Sequence, residues 1–98
     1  MEVDRIIHEP ARLRIMMVLS GVEAADFNFL VGTLNLTRGN LSRHIEKLES
    51  AGYVKVNKSF QGKKPNTSYQ GTAEGFRALA RYWEKIEAIA EMGEKFKR

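Results

Sequence analysis

Seven consecutive residues, Thr37 to Arg43, hold the densest set of recognition groups in the chain: two hydroxyls, two guanidinium groups and a carboxamide, with Gly39 among them. A guanidinium such as that of Arg43 can donate two parallel hydrogen bonds to the edge of guanine, and a carboxamide such as that of Asn40 can pair with adenine. Thr37, Arg38 and Ser42 carry the donors that suit phosphate oxygens. Lys47 follows one turn after Arg43. A second cationic group, Lys58, Lys63 and Lys64, lies further along with Gln61 and Asn66 beside it.

These groups need an element that shows them on one side. Thr37 is a good helix N-cap. Leu36 before it and Leu41 after it can close a hydrophobic staple. Gly52 fits the left-handed residue after a helix end, with Tyr53 packing back on Leu48. The expected helix is about Arg38–Ala51. At about 100° per residue its apolar side is Leu41, Ile45 and Leu48, with His44 at the margin. The opposite side is Gly39, Asn40, Arg43, Glu46, Lys47 and Ser50. Gly39 is out of place by propensity, since glycine inside a helix costs about 1 kcal/mol relative to alanine. Either it permits close approach of a DNA backbone, or it relieves a crowded contact inside the protein.

The flanking elements read as follows. Met1 to His8 is a helical lead-in with Val3, Ile6 and Ile7 as its apolar positions. A first helix spans about Pro10–Ser20, with proline in its first turn. A short strand is expected at Ala24–Asp26. A second helix then buries Phe27, Leu30, Val31 and Leu34, and only Asn35 and Leu36 separate it from the Thr37 cap. That is a helix-turn-helix. After Tyr53 the period changes to two, and a β-hairpin turns at "QGKKPN" and returns through "TSYQGT". From Thr72 a long helix carries two apolar lines. Phe76, Leu79, Trp83, Ile86 and Ala90 form one; Ala78, Tyr82, Ile89, Met92 and Phe96 form the other. One line can pack on its own domain, whereas Tyr82, Ile89, Met92 and Phe96, with Ile6 and Ile7, require a partner subunit.

Composition narrows the function. Ninety-eight residues suit one domain, with 43% hydrophobic and 29% charged residues. Absence of cysteine excludes disulfides and thiolate metal sites. The net charge of +4 is uneven: residues 37–71 carry seven basic and two acidic side chains, a balance of +5, and the remainder sums to −1. A basic segment between neutral flanks fits a polyanion-binding face. The longest apolar run, Ile15 to Leu19, is too short to span a bilayer. Glu2 and Asp4 stand where an export signal needs basic residues, so a cytoplasmic protein is expected. His8 and His44 lack a second ligand at helical spacing, and no metal or cofactor is expected. Gly62-Lys63 is no phosphate loop, because Asn57 occupies the required glycine position. Glu46 and Glu49 read as helix-surface charges. No nucleophile with its base and orienting group is present, and an enzyme is not expected.

The segment "FNFLVGTLNLTRGNLSRHIEKLESAGYVKVNKSFQGKKPNTSYQGTAEGFRAL" resembles the compact winged-helix transcriptional regulators allied to the MarR and ArsR superfamilies. The shared features are Leu-Thr-x-Gly-Asn-Leu-Ser-x-His, Lys-Leu-Glu-x-Ala-Gly-Tyr-Val, a lysine-bearing wing with Pro-x-Thr-x-Tyr, and Thr-x-x-Gly opening the last helix. They run from about His8 to Trp83. The resemblance implies an α+β, mainly α, winged helix-turn-helix with a β-hairpin wing and a long C-terminal dimerisation helix. The expected unit is a single domain, residues 1–98, with helix-turn-helix and wing in 8–71 and the dimerisation helix in 72–96. It also implies a homodimer that binds double-stranded DNA, with Thr37, Arg38, Asn40, Ser42 and Arg43 in the major groove and Lys63 and Lys64 on the wing. Gly71 departs from the pattern, which has leucine there, and is expected to weaken the strand end.

The expected function is therefore sequence-specific transcription regulation on a palindromic site. A small-molecule effector is left open, its place being between the first and last helices near Met16, Met17, Tyr82 and Trp83. The rival is a winged helix used as a protein-interaction module, since fold alone does not settle function. RNA binding stands third, because it wants exposed aromatics, and only Tyr53, Phe60 and Tyr69 fall in the basic region.

Overall fold

A computed structural model describes residues 2–97. Its elements are α1 (Pro10–Leu19), β1 (Ala25–Asp26), α2 (Phe27–Leu34), α3 (Arg38–Ser50), β2 (Val54–Gln61), β3 (Lys64–Gly71) and α4 (Ala73–Lys95). The mainly helical α+β winged arrangement is as the motifs imply. The three strands form one antiparallel sheet in the order β1-β3-β2.

Every helix begins with a side-chain cap. Glu9 accepts from the Arg12 amide at 2.9 Å, Asp26 from Phe29 at 2.7 Å, Thr37 from Asn40 at 3.1 Å and Thr72 from Gly75 at 2.9 Å. Each satisfies an amide that the first turn would otherwise leave unpaired. Asn35, left-handed at φ 53°, turns the chain sharply between α2 and α3. The end of α3 is a Schellman motif: the Tyr53 amide donates to Leu48 and the Gly52 amide to Glu49, both at 2.9 Å, with Gly52 at φ 81°.

The core gathers around α1, which touches α2, α3, α4 and β3. Ile15, Met16 and Leu19 meet Leu30 and Leu34 of α2, Leu41, Ile45 and Leu48 of α3, Val54 and Tyr69 of the sheet, and Ala78, Leu79 and Tyr82 of α4. Phe27 and Val31 are only partly buried at its edge.

Three expectations are corrected here. The N-terminal lead-in is a turn, not a helix. The Asp4 carboxylate accepts from the amides of Ile6 and Ile7 at 2.8 and 3.2 Å, folding the backbone onto itself before a helix can propagate. It also accepts from the Tyr53 hydroxyl. Burial and then this hydrogen bond push the Tyr53 phenol up to about 12. The second correction is Ile7, which is fully buried in its own core and presents nothing to a partner.

The third correction is the rotation of α4. Its inner face is Gly75, Ala78, Leu79 and Tyr82, with Ile86 partly buried beyond them. Tyr82, expected at a dimer contact, is buried, and its hydroxyl meets His8 Nδ1 at 2.9 Å. Phe76 and Trp83 are partly exposed instead. A Cβ on Gly75 would meet the Tyr53 carbonyl oxygen and lie 2.9 Å from both Met16 Cε and Tyr53 Cα. That backbone-to-backbone approach sets which side of α4 faces inward. Gly71 is likewise fitted to its surroundings, because the Phe76 ring fills the space a Cβ would need. The strand end is closed by a neighbour rather than left weak.

Gly75→Ala is therefore expected to destabilise the fold by about 1–3 kcal/mol, the usual cost of overpacking. Thermal unfolding at fixed protein concentration should show a midpoint lower by several degrees. An unchanged midpoint would mean that α4 can rotate without loss.

Candidate nucleic-acid interface

Burial of Leu41, Ile45 and Leu48 leaves the opposite side of α3 to solvent. Gly39, Ser42, Arg43, Glu46, Lys47 and Ser50 are exposed there, and Asn40 is half-buried. Arg43 donates through Nη2 to Asn40 Oδ1, so the two candidate base readers act as a linked pair. The remaining Arg43 donors and the Asn40 Nδ2 group are outside that bond. Thr37 is exposed while its hydroxyl caps the helix. A Cβ on Gly39 would meet nothing within 4 Å. This eliminates the crowded-contact explanation and leaves a bare stretch of backbone at the solvent-facing start of α3.

Arg38 is held from behind. Its Nη1 donates to Asn28 Oδ1 at 2.7 Å, and its guanidinium lies 4.8 Å from the centre of the Phe27 ring. The cation–π contact and the hydrogen bond fix a positive charge beside the free amides of the α3 N-terminus, where an anion is already favoured. Sequence periodicity gives no sign of Asn28 or of this second role of Phe27, because their link to Arg38 crosses the turn between helices.

The wing is the β2–β3 hairpin. Gly62, at φ 64°, and Lys63 form a two-residue loop between the Gln61–Lys64 pair. Positive φ at only the first loop position is the II′ pattern, which matches strand twist. Lys55, Lys58, Lys63 and Lys64 are all exposed. A groove runs between the wing and α3, lined by Ser42, Glu46, Glu49, Val56, Lys58 and Thr67, with Ile45 and Tyr69 at its floor.

The remaining candidates are placed elsewhere. His44 Nδ1 lies 3.1 Å from Arg12 Nη1 and 3.7 Å from Glu9. A guanidinium only donates, so in this contact Nδ1 is the acceptor. Arg12 Nε also donates to the Ile6 carbonyl at 2.6 Å, so this cluster binds the N-terminal turn to α1 and α3. Among the described residues no three histidine, cysteine or acidic side chains are grouped to hold a metal ion. Ile6 is half-buried and lines a hollow with Arg43, Glu46, Lys47, Ser50 and Ala51. Ile89, Met92 and Phe96 are exposed along the outer part of α4. Met16 belongs to the core, so it does not line an open effector crevice. A hollow does lie beside Tyr82, bounded by His8, Glu9, Pro10, Leu13 and Arg14. No helix among the described residues is long and apolar enough to cross a membrane.

A helix-turn-helix followed directly by a basic antiparallel hairpin defines the winged-helix class. Residues 11–90 match the family model described as a winged helix DNA-binding domain, and the chain belongs to that family. An uncharacterized protein of Methanocaldococcus jannaschii is 37% identical over 87 residues, covering 89% of this chain and 95% of that one. The solved structure of a transcriptional regulator homologue from Pyrococcus horikoshii is 33% identical with a TM-score of 0.83, covering 90% of this chain and 87% of that chain. A MarR-family regulator from Enterococcus faecalis, 21% identical, shares the fold at a TM-score of 0.71, over 93% of this chain and 78% of its own.

Gly39→Ala separates stability from recognition. Open space and helix propensity should make the alanine protein as stable or more so, by up to about 1 kcal/mol. Duplex DNA affinity should fall, because the added methyl stands between the backbone and its partner. Parallel thermal unfolding and binding titrations check this; unaltered affinity would remove Gly39 from the interface.

Proposed function

We propose that this protein is a sequence-specific double-stranded DNA-binding transcriptional regulator that acts as a homodimer. The observation that carries the reading is the outer face of α3: an unobstructed Gly39 backbone beside the exposed Arg43–Asn40 pair and the anchored Arg38. Membership of a DNA-binding family and likeness to a regulator homologue support it. In this reading α3 enters the major groove by its N-terminal half. Arg43 reads a guanine, and Asn40 both orients Arg43 and reads an adjacent base with its amide. Thr37, Arg38 and Ser42 meet phosphates at the helix start. Lys47 meets the backbone further along, and Lys58, Lys63 and Lys64 meet it from the wing. Glu46 and Glu49 offset Lys58 along the groove between helix and wing, which weights the backbone contacts toward its two ends.

The dimer rests on α4. Beyond Ile86 its side chains are almost all exposed, and Ile89, Met92 and Phe96 keep an apolar line that water does not favour. Pairing with the same line of a second copy covers it. A twofold pair reads a palindrome with half-sites about 10 bp apart or a multiple of that.

Selection of the purified protein on a random duplex library at physiological salt tests the reading. An enriched palindrome is expected, and absence of enrichment by a folded dimer would favour a protein-interaction module. On the selected duplex, Arg43→Ala should cost about 1–3 kcal/mol and relax base preference at one position per half-site. Equal losses on every duplex would remove Arg43 from base reading. Lys64→Ala should weaken all duplexes alike and reduce the slope of log K against log salt by about 1 per subunit, as measured by titration at several salt concentrations.

A further inference from the structure

Of the three aromatics in the basic region, Tyr69 is buried and Tyr53 is half-buried, but Phe60 is 73% exposed. No part of the core uses it. Its position follows from the hairpin register. The loop closes on the Gln61–Lys64 pair, so Phe60 and Pro65 face each other at the next, non-hydrogen-bonded pair, where side chains stand closest. Side chains alternate along strands, which puts Phe60 on the same face as Val54, Val56 and Lys58, and Pro65 on the same face as Thr67 and Tyr69. Val56, Lys58, Thr67 and Tyr69 line the groove against α3. Phe60 and Pro65 therefore continue that groove's wall past the end of the helix, on the side from which α3 meets its ligand.

The setting of this apolar pair identifies its occupant. From Val54 to Gly71 there is no acidic residue, while Lys63 and Lys64 stand at the tip and Lys58 and then Lys55 lie further down β2. A polyanion complements it better than an apolar protein surface does. Strand addition on the β3 side is also disfavoured: β1 already pairs with Ser68 and Tyr69, and the rest of that edge near the tip carries Pro65, which has no amide to donate.

We propose that Phe60, backed by Pro65, is an apolar wedge of the wing that seats in the minor groove next to the base pairs read by α3, with the surrounding lysines on the flanking phosphates. Apolar side chains set between base steps bend the duplex and favour steps that unstack easily. Phe60 thus adds affinity, and a preference for flexible pyrimidine–purine steps in the flank, without adding charge. This inference rests on the DNA-binding reading above.

The test uses the full chain and its selected duplex, with 2-aminopurine placed in the flanking step. Because Phe60 is exposed, Phe60→Ala and Phe60→Leu should unfold at the wild-type midpoint. Phe60→Ala should bind roughly ten- to a hundredfold more weakly, the range expected for a lost buried phenyl group. Its salt slope should be unchanged, unlike that of Lys64→Ala, because no counterion is released by an apolar contact. Phe60→Leu should recover most of the affinity. The 2-aminopurine should brighten with wild type and not with Phe60→Ala. Wild-type affinity in Phe60→Ala would overturn the proposal while leaving the DNA-binding reading intact. So would a fall in salt slope, a loss of self-association in sedimentation, or a Phe60-dependent preference for single-stranded RNA of the same sequence. Failure of the wild-type protein to bind any duplex would instead defeat the underlying reading.

Discussion

Burial of Leu41, Ile45 and Leu48 against α1 and α2 is the constraint on which the rest depends. A helix of 13 residues has one rotational setting that hides all three, and that setting turns Gly39, Arg43 and Lys47 outward together. The setting is protected at both ends. Asn35 and the Thr37 cap fix where the helix begins, and the Schellman hydrogen bonds of Gly52 and Tyr53 fix where it stops. A slip of one residue in α3 would move each outward side chain by about 100°, so these end contacts protect recognition as much as stability.

The same junction directs the rest of the chain. Tyr53 leaves α3, accepts through its carbonyl from the Thr72 amide at 3.0 Å, and crowds Gly75 at the start of α4. The Thr72 hydroxyl also donates to the Gly52 carbonyl at 2.6 Å. One short segment thus joins the end of α3, the base of the wing and the first turn of α4. The N-terminal turn closes on it through Asp4, which holds the Tyr53 hydroxyl. Orientation of the wing and of α4 relative to α3 is fixed here, where backbone contacts are dense, rather than at their free ends.

Local chemistry makes much of this legible in the sequence. N-caps, the glycine after α3, and the change of period at Tyr53 each depend on residues within a few positions, and α1, β1, α3, β2 and α4 lie within a residue or two of their expected bounds, whereas β3 begins at Lys64, three residues before the expected return strand. The misreadings have a common physical origin in contacts distant in sequence. Two neighbouring apolar lines on α4 leave its rotation undetermined, and a packing limit between Gly75 and Tyr53 decides it. Asp4 captures amides that a helical reading assigns to propagation. The anchoring of Arg38 by Phe27 and Asn28 needs two helices brought together by a turn. Gly39 is legible in type but ambiguous in cause, and only the open space around it resolves the ambiguity.

In the proposed DNA-binding reading, charge and placement divide the recognition work. The hairpin has no acidic residue, whereas the middle of α3 presents Glu46 and Glu49 to the groove it shares with the wing. A polyanion crossing this face is attracted at the α3 N-terminus and at the wing tip, and less between them, where Glu46 and Glu49 offset Lys58. Long-range attraction of this kind brings nucleic acid to the surface but discriminates poorly among sequences. In the proposed reading, discrimination then falls to the groups whose placement the fold restricts most closely: the linked Arg43–Asn40 pair and the bare Gly39 backbone. The lysines are spread over a projecting hairpin, where position matters little to a screened charge. Arg43 and Asn40 stand about one helical turn from a capped, buried anchor, where position decides which base edge the proposed reading lets them reach.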